Sequence, residues 1–310
     1  LVSPNVTMLV GTSYKEVNRG SMKKHGIDIE LGWADKTASG FGYNLSAMVS
    51  LNENRITNYE DAPYAPDYQK TAGKPYKGQT SGVDIVDSGY YESIDDIHNY
   101  PAYTTDFVNI GAYKYLDYSA DGQLSDKDLH AIAGSQYPLA ICSFNAGFNY
   151  KGFEFSMLWY ANFGKWVEYN KSWEIEFNKG DYRITKSQLD YWRPDNRDAN
   201  HATLVYGGTS GHPMYMWAGG SGDAGVNMML AGRTWRKADY VTLKEVYFAY
   251  TFNTKRLRQR VGFRSLSLYL TATNLFSFSS LVEGDPQSTT FTSGFYPQMT
   301  SVKLGVKIGF

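Results

Sequence analysis

The clearest pattern in the chain is the alternation of apolar and polar residues over its last ten positions. Val302, Leu304, Val306, Ile308 and Phe310 are apolar, and the residues between them are polar or glycine. Successive side chains of a strand point to opposite faces of a sheet, so this alternation predicts a strand with one apolar and one polar face. The apolar face must be covered by other protein or by lipid.

Similar alternation predicts two hairpins earlier in the chain. In the first, the strands 27–33 and 41–51 are joined by the short polar segment ADKTASG. In the second, the strands 144–150 and 153–163 are joined by the turn Lys151-Gly152. Such pairs of alternating runs around a short turn are typical of antiparallel sheets.

Further strands are predicted at 238–252 and 266–272. The apolar phase shifts within the first of these, which predicts a β-bulge near Lys244 and Glu245. With the final strand and three weaker patterns, the chain is expected to contain about ten strands. The weaker patterns lie at 6–14, within 74–91 and at 108–116.

Long and short connections alternate between these strands. The long ones lie near 52–73, 117–138, 165–231 and 277–297, which places all four on one side of the sheet. Outer-membrane β-barrels have long extracellular loops and short periplasmic turns, whereas so long a loop as 165–231 is uncommon in a compact soluble domain. We therefore expect an all-β fold: part of an antiparallel transmembrane β-barrel with long extracellular loops.

The composition leaves a second interpretation open. The chain has 26 Tyr, 16 Phe and 7 Trp, together 16% of its 310 residues. Barrels place such rings at both membrane interfaces, but a Tyr-rich soluble β-sandwich would have the same composition. A net charge of −1 disfavours a nucleic-acid surface. Cys142 is the only cysteine, so a disulfide scaffold is excluded and a small apolar strand residue is expected.

Several segments carry a family resemblance: HGIDIELGW, the block from YLDYSADGQLSDKD to FEFSMLW, YWRPDN, ADYVTLKEVYFAYTF, LSLYLTATNLFSFS and the terminal FYPQMTSVKLGVKIGF. In this order they resemble the C-terminal part of SusC/RagA-type TonB-dependent transporters of the Bacteroidetes outer membrane. Because the segments span nearly the whole chain in the right order, the resemblance is more specific than any one of them.

The resemblance implies that residues 1–310 are the C-terminal part of a transporter β-barrel of roughly 22 strands, without the N-terminal plug and first strands. It implies TonB-dependent import of an oligomeric nutrient, a glycan or a peptide, across the outer membrane. The implied partners are a SusD-like surface lipoprotein as the lid, the rest of the same transporter, TonB through the missing N-terminal part, and outer-membrane lipid, with no nucleic acid. No enzymatic activity and no required cofactor are implied.

The acidic segment 117–128 has the spacing of a Ca²⁺-binding loop. Asp117, Ser119, Asp121, Gln123 and Asp128 fall where such a loop supplies oxygen ligands, around a Gly at the sharp turn. Ser119 and Asp128 depart from the preferred ligand types at their positions. A metal-free Asp-Gly turn is therefore the alternative to a bound Ca²⁺ ion.

Aromatic residues in the connection 165–231 are candidates for contact with substrate or with the lid. Their rings could stack on sugar or peptide, and packing within the connection is the alternative. The five histidines show no metal or catalytic spacing and no nucleophile–base pair is found, so no catalytic residue is assigned. The candidates are Trp173, Trp192, Tyr206, Tyr215 and Trp217.

Two functions stay open at this point: nutrient import through a barrel, and a secreted or surface Tyr-rich β-sheet binding module or adhesin. The apolar rows of the last strands distinguish them, because these side chains are lipid-exposed in a barrel and buried in the core of a sandwich. The residues concerned are Leu266, Leu268, Leu270, Val302, Leu304, Val306 and Ile308.

Overall fold

The computed structural model describes residues 16–78, 82, 84–101, 109–168, 186, 189–203, 235–252, 262–281, 284–288 and 298–309. The elements in these residues are twelve strands and one α-helix. They are β1 (Ser21–Lys36), β2 (Gly42–Asn58), β3 (Ile85–Tyr90), α1 (Ile94–Asn99), β4 (Tyr113–Tyr115), β5 (Ala140–Tyr150), β6 (Phe153–Phe163), β7 (Trp166–Glu168), β8 (Trp235–Lys237), β9 (Tyr240–Thr251), β10 (Ser265–Thr273), β11 (Ser277–Ser279) and β12 (Ser301–Gly309).

One antiparallel sheet of eight strands dominates the described part of the chain. Its order is β1-β2-β5-β6-β9-β10-β12, and β11 pairs with β9. Neighbours in the sheet follow one another in the chain, so the sheet is an up-and-down meander. The predicted all-β antiparallel fold is confirmed.

Two of the weaker predicted strands lie outside this sheet. β3 and β4, which fall within 74–91 and 108–116, pair only with each other, in an irregular register. Both belong to the single connection between β2 and β5, so the described main sheet has fewer strands than the ten expected. The strand predicted at 6–14 lies outside the described residues.

The structure contains the tight turn and the β-bulge that the sequence predicts. The turn Lys151-Gly152 has positive φ at both residues, 48° and 91°, as a two-residue hairpin requires. In β9, Glu245 pairs with Leu158 but Leu243 pairs with Trp159, which leaves Lys244 as the extra residue of a bulge. The predicted bulge is confirmed, and it explains why the apolar phase of β9 shifts.

One face of the sheet is apolar and exposed along its length. The register aligns Leu31 with Ala47, Phe144 and Trp159 on neighbouring strands, and Leu270 with Leu304 on the last pair. Leu31 is 69% exposed and Leu304 is 80% exposed. Apolar side chains thus form continuous rows across the strands without cover from other described residues.

The opposite face of the sheet is largely polar. It carries acidic and amide side chains on β1, β2 and β5 and lysines on β12. On β10 and β9, the rings of Tyr269 and Tyr247 stack with centroids 6.2 Å apart. The ring of Tyr269 lies over Gly305, where a Cβ atom would come within 2.3 Å of it. A glycine therefore makes room for this ring on the polar face.

The exposed rows decide between the two folds left open by the sequence. Leu268, Leu270, Val302, Leu304, Val306 and Ile308 are all exposed, and Leu266 is half-buried. A β-sandwich would bury these side chains against a second sheet, so a sandwich core does not contain them. No helix in the described ranges has the length and apolar character needed to cross a membrane.

Candidate functional site

The three long connections of the main sheet lie at one of its ends. They run from β2 to β5 (59–139), from β6 to β9 (164–239) and from β10 to β12 (274–300). The connections at the opposite end are short, at 37–41, 151–152 and 252–264. The long connections do lie on one side, but they are three and not the four predicted. Residues 52–58 belong to β2 instead of a loop, and the remainder of 52–73 and the region 117–138 are parts of one connection.

The first two long connections share a hydrophobic core of their own. Tyr90, Tyr91, Tyr113, Tyr115 and Trp192 are its large side chains, and each is at most 5% exposed. Burial raises the pKa of the Tyr91 hydroxyl, so the ring stays neutral. We call this unit the loop module. It is defined by residues 84–101, 109–130 and 189–203.

Hydrogen bonds fasten the two connections within the loop module. The Tyr90 hydroxyl donates to the carbonyl oxygen of Ala199 at 2.6 Å. The amide of Ala202 donates to the Tyr113 hydroxyl at 3.2 Å, and the amide of Thr203 donates to the carbonyl of Gly111 at 2.9 Å. The module is thus held by packing and by bonds between segments about 90 residues apart in sequence. Sequence analysis did not identify these tyrosines, although the doublet at 90–91 and the alternating YKY at 113–115 were visible signals.

Trp192 is the one predicted contact residue that the structure describes. It is 5% exposed and its indole packs against Gly111, where a Cβ atom would lie 2.4 Å from the ring. Its burial favours the packing interpretation over contact with substrate or lid. Trp173, Tyr206, Tyr215 and Trp217 lie outside the described residues, so their contacts stay a prediction.

The acidic turn 117–128 is folded around its own carboxylates. Asp117 accepts hydrogen bonds from the amides of Asp121 and Gly122, at 3.3 and 2.8 Å. The Asp128 side chain is fully buried and accepts from the amides of Ser119 and Ser125, at 2.9 and 2.7 Å. These bonds are those of a capped turn.

Charge at the turn is already partly neutralised. The Lys127 ammonium donates to Asp121 at 2.8 Å, and this hydrogen bond holds the pKa of the Asp121 carboxyl below its ordinary value. In the described part of the chain, no group of three or more His, Cys, Asp or Glu side chains could hold a metal ion. A cation here would need the Ser119 hydroxyl or the Gln123 carbonyl as further ligands, and would have to displace Lys127. Calcium binding stays a prediction.

Neighbouring aromatic residues fix the turn to the rest of the first connection. The Tyr118 and His130 rings stack with centroids 3.9 Å apart, and the Tyr68 hydroxyl donates to the carbonyl of Lys127 at 2.7 Å. Tyr68 also packs against Tyr118, with ring centroids 4.9 Å apart. His130 is buried and therefore has a packing role here.

Lys165 joins the second long connection to the third. Its side chain is buried, and the ammonium donates to the carbonyl oxygens of Pro286 and Ser288 at 3.1 and 2.7 Å. Burial lowers the pKa of this ammonium, while the nearby Asp285 carboxylate opposes the shift. No pattern in the sequence marked Lys165, because its partners are backbone carbonyls far along the chain.

A cavity of about 410 Å³ opens beside this junction. Amide, hydroxyl and carboxylate groups line it together with the apolar side chains of Leu275 and Phe276. Polar groups of this kind can form directed hydrogen bonds to a polar oligomer. Six of its lining residues are Asn274, Phe276, Asp285, Gln287, Gln298 and Thr300.

Comparison with known proteins gives sequence relatives and structural neighbours, but no protein-family model matches the chain. TonB-dependent receptor P26 of Formosa agariphila is 24% identical over 331 aligned residues, covering 100% of this chain and 31% of the relative. TonB-dependent receptor P39 of the same organism is 20% identical, covering 97% of this chain and 31% of the relative. The chain thus spans about a third of the length of these relatives.

The fold is shared with a solved transporter. The RagAB peptide transporter aligns with 99% of this chain and 32% of its own chain, with a TM-score of 0.64 and 18% identity. The RagAB peptide importer in the "closed-closed" state aligns with 99% of this chain at a TM-score of 0.62 and 17% identity. The resemblance to SusC/RagA-type TonB-dependent transporters is confirmed. The similarity covers nearly the whole chain. It agrees with the fold that the sequence motifs indicated, which is part of a large antiparallel barrel.

We predict that packing at Gly111 is essential to the loop module. Gly111 has φ +83° and contacts the Trp192 ring, whereas Gly89 has φ +75° with nothing within 4 Å of an added Cβ. Gly89→Ala should cost roughly 1–2 kcal/mol for the left-handed backbone alone. Gly111→Ala should cost roughly 1–3 kcal/mol more because the indole must move. Limited proteolysis of residues 84–130 measures the difference, and equal cleavage rates in the two variants would contradict the packing of Trp192 on Gly111.

We predict that Ca²⁺ slows proteolysis of the acidic turn. Lys127→Gln removes the ammonium that competes for Asp121, and should therefore strengthen the protection several-fold. Asp121→Asn is the matched control, since it removes a ligand and the partner of Lys127 together and should abolish the effect. Cleavage within 117–128 that is unchanged between Ca²⁺ and chelator in all three proteins would show that the turn is metal-free.

Proposed function

We propose that this chain is the C-terminal part of the β-barrel of a TonB-dependent transporter that imports an oligomeric nutrient across the outer membrane. The exposed apolar face of the sheet is the observation that carries the proposal. An uncovered face of this extent is unfavourable in water, and lipid covers it in a barrel. The same exposure argues against the alternative of a soluble Tyr-rich binding module or adhesin.

The height of the apolar face fits a membrane. On β6 the apolar row runs over 11 residues, from Phe153 to Phe163. At about 3.3 Å per residue and a tilt of about 40°, these residues rise roughly 25 Å along the membrane normal. This is about the height of the apolar band of outer-membrane barrels.

Aromatic rings mark the short-turn end of the apolar face. Phe148 stacks with Phe41 at 5.8 Å and with Phe155 at 5.1 Å between ring centroids. Phe153 packs against Tyr250 at 4.5 Å. Rings at this level support a membrane interface beside the short turns, which would then be periplasmic and leave the long connections extracellular.

The loop module and the long connections are the proposed docking side for a SusD-like lipoprotein lid. The module has its own buried core, so it can present a defined surface to a partner. Similarity to the RagAB peptide importer, solved in "open-open" and "closed-closed" states, supports a transporter whose assembly changes state. We propose peptide or glycan oligomers as substrates, with the cavity near Asn274 and Phe276 as one contact region.

We further propose that the rest of the transporter comes from a longer protein. The chain covers 31% of its sequence relatives, and among the described residues the sheet ends at β1 on one side and at β12 on the other. Open sheet edges are not tolerated in lipid, so further strands are needed to pair with these two. The plug and the segment that contacts TonB would belong to the N-terminal remainder.

The membrane placement is tested by charges on adjacent positions of β1. Leu31 lies on the apolar face and Glu30 on the polar face. In the bilayer-embedded transporter, Leu31→Arg should destabilise the folded barrel by about 2–4 kcal/mol, whereas Glu30→Arg should have a much smaller effect. Urea unfolding in lipid vesicles measures both. A Leu31→Arg variant that folds as well as wild type and needs no detergent would contradict the proposal.

A further inference from the structure

On the apolar face of the sheet, which we call the outward face, the row of side chains along each strand ends in one of two ways. The difference lies at the end of the sheet that carries the long connections. On β6, β11 and β12 the rows end in apolar residues: Phe163, Phe278 and Val302. On β1 and β2 the apolar row ends instead at the pair Ile27–Leu51. Beyond that pair the outward positions are charged or titratable.

Strand register places four such side chains on the apolar face. His25 pairs with Glu53, and Lys23 pairs with Arg55, two and four residues beyond Ile27 and Leu51. Side chains two residues apart on a strand share a face, so these four continue the outward row. The side chains of His25 and Arg55 are 73% and 63% exposed.

The charges in this row leave an excess of cations. The Glu53 carboxylate accepts a hydrogen bond from Arg55 Nε at 2.6 Å and lies 3.4 Å from His25 Nε2. Arg55 donates this hydrogen bond through Nε. Its two terminal amino groups donate no hydrogen bond to any described residue. Lys23 forms no ion pair within the described ranges. The row thus contains one carboxylate and two cations, Lys23 and Arg55, together with the His25 imidazole.

The depth of the row matches the lipid headgroups. Each two-residue step along a tilted strand rises about 5 Å along the membrane normal. The His25–Glu53 pair therefore lies about 5 Å above the last apolar pair, within a headgroup layer that is about 5–7 Å thick on each side. The Lys23–Arg55 pair lies about 10 Å above it, at the water side of that layer, from which long basic side chains reach back to the headgroups. A guanidinium presents its N–H groups in a fork that matches phosphate oxygens, and an ammonium adds a point charge.

We propose that Lys23, His25 and Arg55 bind the phosphate of an acyl-anchored lipid in the outer leaflet. This inference rests on the proposed membrane placement. Glu53 orients the Arg55 guanidinium from one side, and Ile27 and Leu51 contact the lipid chains below. A groove of about 670 Å³ opens at this position, with His25, Ile27, Leu51 and Glu53 among its lining residues.

The test compares faces of the same strand in the full-length transporter, purified and placed in nanodiscs. The nanodiscs contain phosphatidylcholine with a minority of phosphatidylglycerol, and native mass spectrometry counts each lipid that stays bound. Wild type should retain phosphatidylglycerol in preference. The Lys23→Gln/Arg55→Gln double variant should lose this preference on the order of tenfold. Lys24→Gln, on the same strand but the opposite face, should keep it.

Three outcomes would overturn the inference and leave the membrane placement standing. The double variant could keep the wild-type preference, or Lys24→Gln could lose as much as the double variant. Inorganic phosphate could displace the anionic lipid completely, which would show that the cations bind free phosphate and not a lipid. If the wild-type transporter does not enter nanodiscs at all, the membrane placement is overturned, and this inference with it. That failure is distinguishable because it is seen before any lipid is counted.

Discussion

Contact between apolar side chains and water is the constraint on which this structure depends. The outward face carries Leu, Ile, Val, Phe and Trp on every long strand, and side chains such as Leu304 and Trp33 are mostly exposed. Burying one such side chain is worth about 1.5–3 kcal/mol, so a face with many of them strongly favours an apolar surrounding. Backbone hydrogen bonds join the neighbouring strands of the described sheet, so this face and the two edge strands β1 and β12 are the features left without a partner. In the proposed barrel, lipid would cover the face.

The two ends of the sheet differ because only one of them carries additional structure. At the short-turn end, residues such as Lys151 and Gly152 reverse the chain at once. At the other end, long connections cannot use the outward face for packing, so they bury tyrosines and Trp192 among themselves. Apart from this loop module, the second and third connections are joined to each other through the buried Lys165 ammonium, which donates to the carbonyls of Pro286 and Ser288. The buried core of the loop module gives the loops a defined surface, which is what the proposed lid would cover.

Much of the fold could be predicted from the sequence, because period-two alternation reports directly on a two-faced sheet. The phase shift in β9 even located the bulge at Lys244. The alternation could not show which strands pair, so β3 and β4 were expected in the main sheet although they pair with each other. Trp192 was open to two interpretations since its burial depends on Gly111, distant in sequence. The ligand spacing of 117–128 could not show that Asp128 would turn inward to two backbone amides.

The central claim is that the outward face of the sheet is covered by lipid. The most direct measurement is a spin-label scan of β12, from Ser301 to Gly309, in the bilayer-embedded transporter with Cys142 replaced by alanine. Accessibility to oxygen, which concentrates in lipid, should peak at Val302, Leu304, Val306 and Ile308. Accessibility to a water-soluble nickel chelate should peak at the residues between them. Nickel accessibility that is equal at all nine positions, or low oxygen accessibility at the four apolar ones, would contradict the account.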